Sequence, residues 1–148
     1  MLKMIHPVAG AIALLTISTF WLSTLFAELF GSEAFVISVK TTIPWGFFVL
    51  IPALMTAGGT GFVLSKGDSA GVIGTKLKRM PFIAVNGLLV LIPAALFLAS
   101  KARAGEFDAA FYGVQALELL AGVTNIALLG VNMRDGLRLK GRLRRSPA

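Results

Sequence analysis

The sequence holds no cysteine, one histidine and one tyrosine in 148 residues, and only 14 % of it is charged. Without cysteine there are no disulfides, thiolate metal centres, cysteine nucleophiles or covalently attached c-type haem. One imidazole without a polar cluster around it is too little for zinc, which takes three or four N, S or O ligands. No GxxxxGK[ST] loop is present to cradle a phosphate, and no residue set carries a catalytic signature, so no enzyme activity is expected. Soluble domains have a charged fraction of about 25 %; this chain falls well short of it.

Apolar side chains fill the difference. They make up 56 % of the chain, and its mean hydropathy is +0.83. A water-soluble globule could not hide so much apolar surface, because over half of an ordinary protein's surface is already apolar. Disorder is excluded by the same figures. The composition describes an integral membrane protein.

Four apolar runs stand out: Pro7–Phe30, Ile43–Leu64, Pro81–Ala99 and Phe111–Val131. Crossing about 30 Å of hydrocarbon takes about 20 residues of helix, so each run suffices for one span. The fold class expected is therefore all-α, a single-domain four-helix bundle in the membrane with a basic tail over 132–148. Lys66 with Gly67, Lys101 and Arg103 with Gly105, and Arg134 with Gly136 read as helix ends, a cation on the negative end of the dipole and a glycine beyond it. Pro7, Pro44 and Pro81 are expected in first turns, and Asp108 as the N-cap of the fourth helix. The first run is too long for a signal peptide, and Leu25-Phe26-Ala27 is a poor cleavage site, so it is expected as a retained helix. Ser32–Thr42 reads as an outer loop, or as an extension of a tilted second helix.

Charge orients the bundle. Lys3, the basic residues of the 66–79 segment and those from Arg134 onward make 11 of the 14 cations. Lys40, Lys101 and Arg103 are left for the other side. By the positive-inside rule both termini are cytoplasmic, in a bacterial inner membrane. Arg138, Lys140, Arg142, Arg144 and Arg145 are placed to meet anionic lipid at that face. A nucleic-acid partner is not expected, since no soluble domain presents the charge.

Inside the spans, Gln115, Glu118 and Asn125 trace one face of the fourth helix, extended by Gly122 and Asn132. A carboxylate in hydrocarbon must be paired, protonated or wet. With no Lys or Arg inside any of the four runs, Glu118 is expected as a neutral acid bonded to Thr16, Ser18, Thr19 or Ser23 of the first span, or as a proton relay or quinone contact. Ala57, Gly58, Gly61 and Gly122 are expected to let helices approach closely. His6, before Pro7, is expected to cap the first helix or lie at the interface. Its sharper reading is as a haem b ligand, alone or with Met80 or Met133, in an electron- or proton-transfer module that also uses Glu118. Gly46–Ala53 and Gly87–Ala94 match at six of eight positions in oppositely directed spans, which suggests an inverted repeat and a small dimeric transporter. Pro52 and Pro93, inside these segments, should bend both helices. The simplest role left is an accessory or structural subunit that packs on itself or on a larger complex, with no cofactor.

Reporter fusions test the orientation. Fusions after 66–76 and after Arg138 are expected to read cytoplasmic, and fusions in Ser32–Lys40 and Lys101–Asp108 periplasmic. One reversed pair removes the four-span topology.

Overall fold

The computed structural model describes residues 1–65 and 71–143, except the side chains of 71–77, 139–140 and 142–143. Lys66, Gly67, Arg144 and Arg145, with the side chains of Lys76, Lys140 and Arg142, lie outside the described residues. The chain forms α1 (Leu2–Phe30), α2 (Glu33–Ser65), α3 (Gly71–Asn86), a π-helical turn (Gly87–Leu91), α4 (Ile92–Ala104) and α5 (Ala109–Leu143). The π-turn joins α3 to α4, so there are four rods, each with a stretch long and apolar enough to cross a membrane.

The helices overrun the apolar runs at both ends. α2 and α5, with 33 and 35 residues, measure about 50 Å at 1.5 Å per residue. Of the two readings of Ser32–Thr42 the helical extension is the one found: α2 starts at Glu33, and the connection shrinks to Gly31 and Ser32, where the Ser32 hydroxyl accepts the Phe35 amide at 3.3 Å. Pro7, Pro44 and Pro81 consequently lie inside helices, not in first turns. Pro44 leaves the Lys40 carbonyl, four residues back, without its helical donor. At the other end, α5 runs through Gly136 to Leu143 and does not stop at Arg134. Gly105 does end α4, at φ +68°, and its N–H closes on Lys101 and Ala102.

The rods form a ring in which α1 packs on α2 and α5, and both of these pack on the α3–α4 rod. Every neighbouring pair is antiparallel, an up-down-up-down bundle. Large apolar side chains project outward along its length: Leu15, Phe48, Phe62 and Leu89 are each at least two-thirds exposed. The interior holds two apolar clusters. One surrounds Ala13, Ile17, Leu50, Ala53, Ile83 and Leu129, toward the end where α1 starts and α5 finishes, here called the terminal end. The other, at the far end, joins Ala27, Val36, Leu98, Ala102 and Phe111.

The matched octapeptides adopt different backbones. Gly46–Ala53 is continuous α-helix despite Pro52, whereas Gly87–Leu91 of its partner winds as π-helix ahead of Pro93. The neighbours explain the difference. At Gly46 the Phe20 ring of α1 occupies the space a Cβ would take. Next to Gly87, Asn125 of α5 donates its amide to the Ile83 carbonyl at 3.3 Å. A side-chain donor at a helix carbonyl disturbs the local ladder, and the π-turn absorbs the disturbance and the missing Pro93 N–H.

Asp108 caps α5 as expected. Its Oδ1 accepts the Phe111 N–H at 2.9 Å and its Oδ2 the Lys101 ammonium at 2.7 Å. Lys101, then the Phe111 N–H, hold this carboxyl below the usual carboxylate range. Its stabilising effect is complete above the unfolded value of about 4 and is lost as pH falls through the lower folded value. Asp108→Ala is therefore expected to lower the melting temperature at neutral pH, with the gap closing on acidification. Asp108→Asn, which keeps the cap but not the charge, should fall between the two. A gap unchanged at about pH 2 refutes this assignment.

Candidate functional site: a buried ion pair above an apolar cavity

Along α1, α2 and α5 a polar layer separates the two apolar clusters. In α5 it is Gln115 and Glu118, between Phe111 and Leu129; in α2 it is Lys40, between Val36 and Leu50; in α1 it is Thr24, between Ile17 and Ala27. Lys40 is 1 % exposed. Its ammonium donates to Glu118 Oε2 at 2.5 Å and to the Thr24 hydroxyl at 3.3 Å. α2 and α5 lie diagonally across the ring and do not pack backbone to backbone, so this pair crosses the bundle's centre.

Glu118 thus has a basic partner, and the expected neutral acid bonded to the first span is replaced by an ion pair. Thr16 and Thr19 instead back-bond to Ile12 and Leu15 of their own helix. The misreading follows from the helix boundary: Lys40 counts as a loop residue only if α2 starts at Ile43. The sequence did hold a signal, since Val36, Lys40 and Ile43 are at helical spacing and all three are buried. Glu28 of α1 sits beside Gln115 and within the fields of Lys40 and Glu118. Glu28 Oε1 and both amide atoms of Gln115 are sealed from solvent without a hydrogen bond of ordinary geometry.

Below this layer lies a cavity of about 300 Å³ walled almost wholly by apolar side chains, among them Ile17, Phe47, Leu54 and Leu91. Glu118 and Thr24 lie at its polar end, and Gly58 and Ala84 line it toward the terminal end. The Trp21 indole lines it too, with its N–H donated to the Leu119 carbonyl at 2.9 Å. Gly122 makes room for that ring: a Cβ there would stand 3.0 Å from Trp21 Cδ1. Met55 and Leu88 also line the cavity while being 71 % and 58 % exposed. They mark a mouth between α2 and the π-turn, where the two do not pack although α2 meets both α3 and α4.

The remaining polar residues of α5 join it to α3. Asn125 accepts from Asn86 at 2.9 Å, and Asn86 also reaches the Ala121 carbonyl at 3.0 Å. Asn132 donates to Met80 Sδ, and Arg79 bridges to Asp135 at 2.8 Å.

His6 does not cap α1, which begins at Leu2. Its Nδ1 lies 3.0 Å from the Ala57 carbonyl and 3.2 Å from the Thr60 hydroxyl, with the ring over Gly61. Ala57 is buried, and Gly58 faces Met80 Cε. Met133 is 40 % exposed. Thr24, level with Glu118, is 18 residues along α1 from His6, about 27 Å at helical rise. His6 and Glu118 therefore do not share one site. Among the described residues, no group of three His, Cys, Asp or Glu side chains is placed to hold a metal ion.

No family model, curated protein or solved structure matches this chain.

A double-mutant cycle tests the ion pair. Lys40→Leu or Glu118→Leu alone strands a buried charge and is expected to cost about 3–5 kcal/mol, while the double variant should cost less than either single change. Additive losses on thermal or steric-trap unfolding would show that the two side chains do not interact.

Proposed function

We propose that this protein is a four-span protein of a bacterial inner membrane, with both termini cytoplasmic, that binds a small lipid-soluble molecule inside its bundle. The observation that carries the reading is the cavity with its lateral mouth between α2 and the π-turn. About 300 Å³ of apolar space leaves the side chains around it short of packing partners, so an occupant stabilises the bundle. A mouth walled by Met55 and Leu88 admits a molecule from among lipid tails more readily than one from water. The size suits one ring system or a short chain.

The orientation rests on charge. Lys3, Lys78, Arg79, Arg134 and Arg138 gather at the terminal end, and Lys40 leaves the opposite count because it is spent inside the bundle. Arg138, exposed on α5, is then placed at an anionic leaflet.

A second reading, an accessory subunit packing on a second copy or a larger complex, draws on Gly59, Gly113 and Gly130. Nothing lies within 4 Å of the position a side chain would take at any of the three, which suits close helix approach in lipid. It gives no role to the cavity. The haem reading puts His6 at the terminal end, away from the cavity's polar end.

Native mass spectrometry of protein taken from membranes without delipidation is expected to show a bound apolar molecule. Gly58→Leu, which pushes a side chain into the cavity beside Met80, should remove most of it while leaving the helical content unchanged. Full occupancy in Gly58→Leu, or an empty wild-type protein, overturns the proposal. The same preparation is expected to be colourless; a Soret band abolished by His6→Ala would move the assignment to haem.

A further inference from the structure

We infer that the molecule bound in this cavity carries a protonated amine at its polar end, an inference that rests on the cavity reading above. The polar atoms facing the cavity set the requirement. The Trp21 N–H is spent on Leu119, and the Asn125 amide nitrogen on Ile83. Asn125 Oδ1 is taken by Asn86, and the Thr24 oxygen accepts from Lys40. Glu118 is different. Its Oε2 holds Lys40, while no hydrogen bond reaches its Oε1 among the described residues, and 12 % of the side chain stays exposed. The cavity therefore offers a carboxylate acceptor, and a ligand must bring the donor. A molecule with acceptors alone, such as an oxidised quinone, meets no committed donor here.

Charge selects among donors. The ionisable groups near this end are Glu28 from α1, Lys40 from α2 and Glu118 from α5. The α3–π–α4 rod contributes none to the lining, which on that side runs from Ala84 to Ala95. Lys40 has Glu118 Oε2 and the Thr24 hydroxyl as its partners, which leaves Glu118 Oε1 as the acceptor for a ligand. A cationic donor makes a charge-assisted hydrogen bond to this carboxylate that a neutral alcohol does not match. The aromatic walls at Phe20, Trp21 and Phe47 favour a cation over a neutral group as well. Gln115 and Glu28, side by side with polar atoms that no hydrogen bond of ordinary geometry reaches, stand just beyond the pair. They give the polar layer spare capacity to re-pair when an ammonium takes a share of Glu118.

The test uses full-length protein in lipid nanodiscs with Trp45→Phe, so that fluorescence reports Trp21 in the cavity wall. The probes are three compounds of one apolar shape: adamantylamine, adamantanol and adamantane carboxylate. The amine is expected to bind about tenfold tighter than the alcohol, with the carboxylate weakest. Glu118→Gln should remove the amine's advantage over the alcohol, because loss of the carboxylate charge weakens the charge-assisted contact more than the neutral one. The Lys40→Gln/Glu118→Gln pair, which strands no charge, repeats this measurement should the single variant fail to fold. Alcohol binding as tight as amine binding, or a preference that survives loss of the carboxylate, overturns the amine assignment and leaves the cavity reading standing. Absence of any response from all three probes overturns both.

Discussion

A lysine and a glutamate meeting across the diagonal of a four-helix ring fix the arrangement of this protein. Neither residue tolerates the bundle interior alone, because a buried unpaired charge costs several kcal/mol. Lys40 therefore requires that α2 be helical from Glu33, that its inner face point at α5, and that Glu118 stand at the same height. A pair of this kind adds little net stability over apolar packing. Its effect is on register: rotating either helix by one residue would carry one charge away from its partner toward the apolar outer face.

The other contacts obey the same constraint. Helices with apolar outer faces such as these are held together by close packing and interhelical hydrogen bonds. Three of the four interfaces have a connector at their own level: His6 on Ala57 for α1 and α2, Trp21 on Leu119 for α1 and α5, Asn86 with Asn125 for α3 and α5. Glycines stand where the larger groups seat, Gly61 beneath His6 and Gly122 beside Trp21. The side of the ring with the weakest closure is α2 against the π-turn, and the cavity opens there. The π-turn is at once the consequence of Asn125 reaching Ile83 and one lip of the opening.

The architecture was legible in the sequence because hydropathy is a local property, and each apolar run contains enough turns to declare a span. Caps made of neighbouring residues, such as Asp108 on Phe111, were legible for the same reason. Helix ends were not. α2 begins ten residues before its apolar run because Val36 is buried in the far cluster and Lys40 finds a partner 78 residues away. A local pattern cannot show that partner, and without it Lys40 reads as a loop residue and Glu118 as an unpaired acid. The inward stripe of α5 was visible as spacing. Which helix each of its members would meet depends on the order of rods around the ring.

The ion pair also explains why an apolar cavity can sit beneath a charged layer. A Lys–Glu pair at 2.5 Å largely cancels its own field a short distance away, so the space below can remain dry and lined by isoleucine, leucine and phenylalanine. The cancellation is incomplete on one side only. Glu118 lines the polar end of the cavity and keeps one oxygen outside the pair, while Lys40 is enclosed by Thr24 and Glu118. The layer thus presents a carboxylate acceptor to an apolar chamber whose mouth opens on the outer face of the bundle. That combination discriminates by sign and by shape together. An anion is repelled by the layer, and an apolar molecule without a donor leaves Glu118 Oε1 unsatisfied. A strongly hydrated small cation gains nothing from apolar walls that cannot replace its water. The amphiphile with a cationic donor is the class that satisfies both the chamber and its end.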